Sequence, residues 1–405
     1  VLRAMNVFRV ALLALCAALG CAGSTTPGQT PSAPLAVEAN GGARAAAGPS
    51  NAGLRIRAWP EASARFRGPG SAWLGADSAY SIDLGDGRVL WVFGDTFIDP
   101  TRDGSRTNGP NVFVRNSVAL QSSAADTTRY DLSRSELQFF TGPERNGAPT
   151  SFFPETAEGD WFWPLHGVRL EDGPLLMFRM RVTKISTGFG FKVTGWDAIV
   201  VDNPDAIPSS WIPRVVADQA TGAERLVGSS VMLRDDYLYA YAVKNADDDH
   251  TIYLTRISLA ELRSRANEAL GDPEWFSSRG YVRQSSGAVP QPVIADGQIE
   301  FSVHFESRLK QFVEVQTRGL FVSDPNTAIV MRTSLSPEGP WSEPMSIWKP
   351  IAPPNADATK LLAYAAKAHP EQRGADLVLT YVENDVAHPT PIDAVYYPEV
   401  LRMAF

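Results

Sequence analysis

Gly75-Ala76-Asp77-Ser78-Ala79-Tyr80-Ser81, then Asp86-Gly87-Arg88-Val89-Leu90-Trp91-Val92-Phe93-Gly94-Asp95-Thr96-Phe97, then Val114-Arg115-Asn116-Ser117, is the stretch from which the architecture is read. It holds a short apolar run (79–84), an Asp-Gly turn, a more apolar run (89–93) and a third run (116–121). β-Branched and aromatic residues bounded by Gly, Asp and Asn mark strands. Asp-Gly between two such runs marks a hairpin. The unit is a three-strand meander.

The pattern recurs along the chain. Further runs lie at 175–181, 191–201, 230–233, 237–243, 251–257, 299–305, 312–316, 328–333 and 377–382, split by turns such as Glu171-Asp172-Gly173 and Arg234-Asp235-Asp236. They form five groups, beginning near Asp77, His166, Ser229, Glu300 and Ala365. Each group takes roughly seventy residues, which implies long loops between strands. Five successive meanders predict an all-β fold, a five-bladed β-propeller. A large β-sandwich is the alternative, disfavoured by the repeat length and the lack of Greek-key connections. One helix is expected, over 259–270.

Propeller topology also predicts where a site lies. Starts of first strands, ends of second strands and starts of third strands share one face. In the first group these points are Asp77, Asp95 and Arg115-Asn116, far apart in sequence yet gathered by the meander.

Ahead of this domain, Arg3 and Arg9 precede a short apolar run at 10–19, which is too short to span a bilayer and reads as a signal peptide over 1–20. It ends in Ala18-Leu19-Gly20-Cys21, similar to a bacterial lipobox, so Cys21 is the expected lipidation site. Ala22 gives no Asp-type inner-membrane retention signal, which points to the outer membrane, on its periplasmic or outer side. Residues 21–53, rich in Gly, Ser, Thr, Pro and Ala, read as the lipidated Cys and a disordered tether. The propeller domain is expected over 54–405.

The two cysteines, Cys16 and Cys21, both precede that domain, so it has no disulfide, thiolate metal site or cysteine nucleophile. The formal charge of −8 without a basic run argues against nucleic acid as a partner. No cofactor motif is present, and neither is a Gly-x-Ser-x-Gly, a His-Glu-x-x-His or a phosphate loop. A Ca²⁺ ion on the propeller axis, held by carbonyls and Asp, is compatible with the fold but has no sequence mark. A monomer is expected.

The opening blade quoted above resembles secreted bacterial domains of the DUF4185/DUF5005 type, which look related to five-bladed propeller glycoside hydrolases of the arabinanase/xylosidase-like and levanase-like group. Trp163-Pro164-Leu165-His166-Gly167, Arg332-Thr333-Ser334 with Gly339-Pro340-Trp341-Ser342, and Ala368-His369-Pro370-Glu371 with Leu379-Thr380-Tyr381-Val382-Glu383-Asn384 are weaker points of likeness. The resemblance spans most of 70–390. It implies a propeller and a polysaccharide substrate, including furanose polymers such as arabinan.

Glycoside hydrolysis uses two carboxyl groups across the scissile bond. Asp77 and Asp95 are the expected catalytic pair; the plain alternative is a turn aspartate and a structural Asp–Arg pair with Arg115. Arg115, Asn116, Trp163, His166 and His369 are expected to bind substrate, with Trp161 and Trp196 as further stacking candidates. For both histidines the plain alternative is a satisfied wall residue. Glu155, Glu158, Asp160, Glu300 and Glu383 read as solvated loop acids before they read as proton donors. Three functions compete: an exported glycoside hydrolase, a non-catalytic propeller that binds glycans or proteins, and a structural envelope lipoprotein.

Overall fold

The computed structural model describes residues 53–405 apart from 69–71, 107–110, 123–130, 172, 188–189, 220–221, 247–248, 266–269, 373, 375 and 389. The expected signal peptide, most of the tether and Cys21 lie outside the described residues.

Five antiparallel sheets follow one another along the chain, as the sequence predicts, and build a five-bladed propeller. Their inner strands are Tyr80–Asp83, Trp161–Arg169, Arg225–Arg234, Phe301–Glu306 and Leu361–His369, in blades I to V. The second strands are Arg88–Phe93, Leu175–Lys184, Tyr237–Lys244, Gln311–Arg318 and Leu377–Asp385. The third strands are Ser117–Ser122, Phe191–Val201, Ile252–Ser258, Ala328–Ser334 and Pro398–Ala404. Blades I, II and IV end on outer strands Glu136–Phe140, Arg214–Gln219 and Met345–Trp348, while the outer strand of blade III, Glu274–Ser277, pairs on with Gly280–Arg283, and Pro292–Ile294 also pairs with its third strand. Blade V takes its outer strand from the other end of the chain: Arg55–Ala58 pairs antiparallel with Pro398–Ala404, Arg55 opposite Ala404. That strand closes the ring; its alternation of Arg55 and Arg57 with Ile56 and Ala58 is only four residues long. The expected helix appears as Leu259–Arg265.

Each inner strand contacts the next, and the inner strand of blade V contacts that of blade I. Blade faces are apolar and stack in layers. Tyr80 and Leu90 meet Leu175 and Ile199 between blades I and II, and Ile329 meets Leu379 between IV and V. One larger cluster joins Phe178, Tyr241 and Phe301 across blades II, III and IV, and Trp91 with Val400 closes V onto I. Packing is tight at Gly228, where φ is +102° and a Cβ would sit 2.2 Å from the Phe178 ring.

The inner strands of blades II, III and V start at Trp161, Arg225 and Leu361, ahead of the expected His166, Ser229 and Ala365. The reason is a bulge in each, between Pro164 and Gly167, Val227 and Ser230, and Tyr364 and Lys367. Extra residues interrupt the alternation, so the sequence pattern restarts late.

An inner strand has no partner on its axial side, and its N–H and C=O groups there need one. Side chains supply it at the junctions from blade I to blade V, and a side-chain pair closes the fifth. His166 Nε2 donates to Ser81 O (3.2 Å), and Val231 N donates to His166 Nδ1 (3.0 Å), joining I, II and III. Val303 N donates to Ser230 Oγ (2.8 Å), joining III and IV. Ala368 N donates to Ser302 Oγ (2.8 Å), joining IV and V. Ser81 Oγ meets His369 Nδ1, joining V to I. These bonds form a closed belt around the axis.

The belt fixes His166 as the neutral Nε2–H tautomer, since Nδ1 accepts. Burial holds its pKa down to about 4. The unfolded chain protonates this residue near pH ~6.5, so its neutral role costs stability as pH falls from there towards 4. Replacing it, as in His166→Leu, orphans a buried N–H and C=O at a cost of about 2–4 kcal/mol. Denaturant unfolding at pH 7 and pH 5 checks this: the deficit of the variant is expected to be smaller at pH 5.

Candidate functional site

Immediately above the belt the blades converge on a buried acidic cluster. Asp77 precedes the inner strand of blade I and Asp95 follows its second strand, so the opening hairpin carries both to one end of the axis. They are 7% and 9% exposed. Gly94 lies between them, and a Cβ there would fall 2.4 Å from Asp77 Oδ1, so glycine is what lets the second strand pass the carboxyl. Ser78 and Ala79 follow Asp77 with φ of 70° and 52°. Two successive left-handed non-glycine residues cost roughly 1–2 kcal/mol each, and such strain persists only where the surroundings enforce it.

Blades IV and V enforce it. Lys367 Nζ donates to Glu300 Oε1 (2.9 Å), to Ala365 O (3.0 Å) and to the Ser78 carbonyl, and lies 4.2 Å from the centre of the Tyr80 ring. Ser78 Oγ donates to the same Glu300 oxygen (2.7 Å). Glu300 is therefore no solvated loop acid: it is buried and pins the backbone beside Asp77. Burial lowers the pKa of Lys367 against the pull of Glu300.

The two aspartates have unlike surroundings. Tyr364 donates its hydroxyl to Asp77 Oδ2 (3.0 Å), and Tyr396, which donates to Asp95 O (3.0 Å), also lies beside the Asp77 carboxyl. Burial, then the charges of Glu300 and Asp95, push the pKa of Asp77 well up against these bonds. Asp95 receives Trp163 Nε1 on Oδ1 (2.9 Å) and has the Arg115 guanidinium 3.6 Å from Oδ2. Burial raises its pKa too, but Arg115 and Trp163 oppose the shift. Arg115 in turn lies over the Trp161 ring at 4.3 Å, and Trp163 meets Phe191 edge-on at 4.9 Å.

The structure thus brings Asp77, Asp95, Arg115 and Trp163 together. It places the other expected substrate contacts elsewhere. Asn116 is fully buried: Phe153 N donates to its Oδ1 (2.7 Å), and its Nδ2 donates to Phe162 O (2.8 Å), pinning blade I to the loop before blade II. His166 spends both nitrogens on the belt. His369 is buried between Ser81 and Thr380, whose Oγ1 is 2.7 Å from Nε2. Glu155 and Glu158 are exposed, and Asp160 pairs with Arg181 at 2.8 Å. Glu383 is buried away from the cluster, its pKa raised to about 8 by burial and by Glu399. Tyr364, Lys367 and Tyr396 were missed. A lysine inside the apolar run Leu361–His369 is the signal that pointed to a buried charge with a partner.

Among the described residues no group of three or more His, Cys, Asp or Glu side chains is placed to hold a metal ion, and no helix is long and apolar enough to cross a membrane. Two clefts, of about 650 and 490 Å³, are lined by residues outside the acidic cluster.

Asp77 and Asp95 thus form a carboxyl pair at one end of the five-bladed ring. The profile of the DUF5005 family, a domain of unknown function, matches residues 65–396, and the chain belongs to that family. A candidate hydrolase from Bacteroides ovatus shares the fold at a TM-score of 0.64 and 15% identity, covering 88% of this chain and 92% of that one. The catalytic domain of a GH62 α-L-arabinofuranosidase from Coprinopsis cinerea matches at 0.43 and 12%, covering 83% and 98%. An exo-1,5-α-L-arabinanase from a bovine ruminal metagenomic library matches at 0.39 and 10%, covering 82% and 93%. The first likeness is one of fold; the other two, below a TM-score of 0.5, carry no argument. No curated protein sequence matches the chain.

Raised carboxyl pKa values predict a trade between stability and function. Asp77 keeps its proton in the fold above the pH, ~3.9, at which the unfolded chain loses it. Its contribution is therefore intact below pH ~4 and is lost as pH rises towards the folded pKa. Asp77→Asn is expected to melt higher than the parent at pH 7, by roughly 2–4 °C, with the gap closing at pH 4. Calorimetry at the two pH values reads this directly.

Proposed function

We propose that this protein is a glycoside hydrolase acting on a polysaccharide, with furanose polymers such as arabinan as first candidates. The observation that carries the reading is the contrast between Asp77 and Asp95, adjacent at one end of the axis. Asp77, without a cation of its own and faced by Glu300, is the carboxyl that keeps a proton. Asp95, beside Arg115 and Trp163, is the carboxyl that ionises. In this assignment Asp77 protonates the leaving glycosidic oxygen as the C1–O bond breaks. Asp95 supplies the negative charge at C1, as base to an attacking water or as nucleophile. Trp163 and Arg115 hold that carboxyl in place.

Sugar release from arabinans, other furanose polymers and peptidoglycan-linked glycans tests the proposal. Asp77→Asn and Asp95→Asn are each expected to lower the rate at least ~100-fold with folding intact. The pH profile is expected to be bell-shaped. It falls on the acid side as Asp95 takes up a proton and on the alkaline side as Asp77 loses one. Activity indifferent to both substitutions, or none on any substrate, sinks the assignment.

A second reading has an observation of its own. Asp77 and Asp95 are both buried within the fold. That favours a non-catalytic propeller that binds glycans or proteins, with the acids as internal scaffolding. Either reading suits an exported lipoprotein, anchored through Cys21 in the outer membrane. Labelled palmitate is expected to enter the parent protein in the native host and not the Cys21→Ser form.

A further inference from the structure

Adjacent blades pack face to face, and protein interiors leave few voids larger than a water molecule. Between blades II and III that packing fails. A cleft of about 650 Å³ opens between their outer halves. Two features hold it open. Its lining is rich in small residues, among them Ala217, Gly222, Ala223, Ala240 and Gly271. The outer strand of blade III also pairs with the third strand at only two positions, Thr255 with Trp275 and Arg256 with Glu274. The same edge of the third strand pairs again, at Ile252 and Tyr253, with Pro292–Ile294.

Each wall contributes one tryptophan. Trp196, half-buried, stands on the third strand of blade II, tilted against Phe178 at 6.0 Å between ring centres. Trp275 stands on the outer strand of blade III and donates Nε1 to Gln284 (3.1 Å). The polar side chains of the lining include planar forks: Asp218, Gln219 and Gln284, all exposed, and the pair Glu224–Arg225, whose Oε2 and Nη1 are 3.1 Å apart. The Arg225 guanidinium lies 4.5 Å from the Tyr253 ring and 5.8 Å from that of Trp275, and its Nε is buried without a hydrogen-bond partner.

This chemistry selects a class of ligand. Aromatic faces with a few polar groups suit a molecule with one apolar and one polar aspect. Carboxylate, amide and guanidinium forks match pairs of neighbouring hydroxyls. Two acids against one arginine disfavour a polyanion, and five or more polar groups disfavour a hydrocarbon. We propose that the cleft between blades II and III is a glycan-binding site, separate from the Asp77–Asp95 cluster, which takes a neutral oligosaccharide of about two or three rings. It serves to hold a polysaccharide on the protein under either reading of the axial cluster.

The test is titration calorimetry on the full chain carrying Asp77→Asn, so that binding is read without turnover and does not depend on whether the protein hydrolyses anything. The probes are arabino-, xylo- and β-1,3-galacto-oligosaccharides. At least one is expected to bind and to change tryptophan fluorescence. Trp196→Ala and the paired Asp218→Ala, Gln219→Ala change, the latter at exposed positions that leave the core untouched, are each expected to weaken it roughly tenfold or more. Arg115→Ala, beside the axial cluster, is expected to leave that affinity unchanged. Absence of binding by every probe overturns the proposal. So does binding that ignores the blade II substitutions, or that Arg115→Ala abolishes.

Discussion

Five strand edges face one another across an axis too crowded for another strand, and each carries peptide groups that cannot be left dry and unpaired. His166, Ser230 and Ser302 answer that constraint at the four junctions from blade I to blade V, and the side-chain pair of Ser81 with His369 closes the fifth. The three inner-strand bulges serve the same end. His166 and Ser230 sit within or at the end of a bulge, and the bonded Ala368 lies just past the third. A propeller without such bonds would rest on its apolar layers alone, and those do not distinguish one axial stagger from the next.

The acidic cluster depends on that stagger. Glu300 lies two residues before Ser302, Lys367 one before Ala368, and Ser78 three before Ser81. Fixing the belt therefore fixes the height at which Lys367 and Glu300 meet the strained Ser78-Ala79 step, and with it the direction of Asp77. The groups that set the protonation of Asp77 come from three blades: Asp95 from I, Glu300 from IV and Tyr364 from V.

The sequence carried the blades because each repeats a local signal: a tight turn between two apolar runs. It carried Asp77, Asp95 and Arg115 as neighbours because a meander must return its strand ends to one face. It did not carry what other blades bring to that face. Tyr364 and Tyr396 are aromatics in apolar runs, indistinguishable there from core residues. Glu300 reads like any loop acid until the ring closes on it. His166 and His369 are wall residues whose partners are backbone atoms of other blades, and no side-chain pattern marks a backbone partner. The same holds for the outer strands, whose half-exposed composition lacks clean alternation.

Ring closure by Arg55–Ala58 has a kinetic meaning. The pairing of Arg55 with Ala404 spans nearly the whole described chain, so blade V is the last sheet able to complete itself. Loop-closure entropy grows only slowly with length, yet the contact waits on every blade between and belongs to the slow, non-local kind. Until it forms, the third strand of blade V is an open edge. The clasp thus ties completion of blade V to the meeting of two segments about 340 residues apart, rather than to any signal within a single blade.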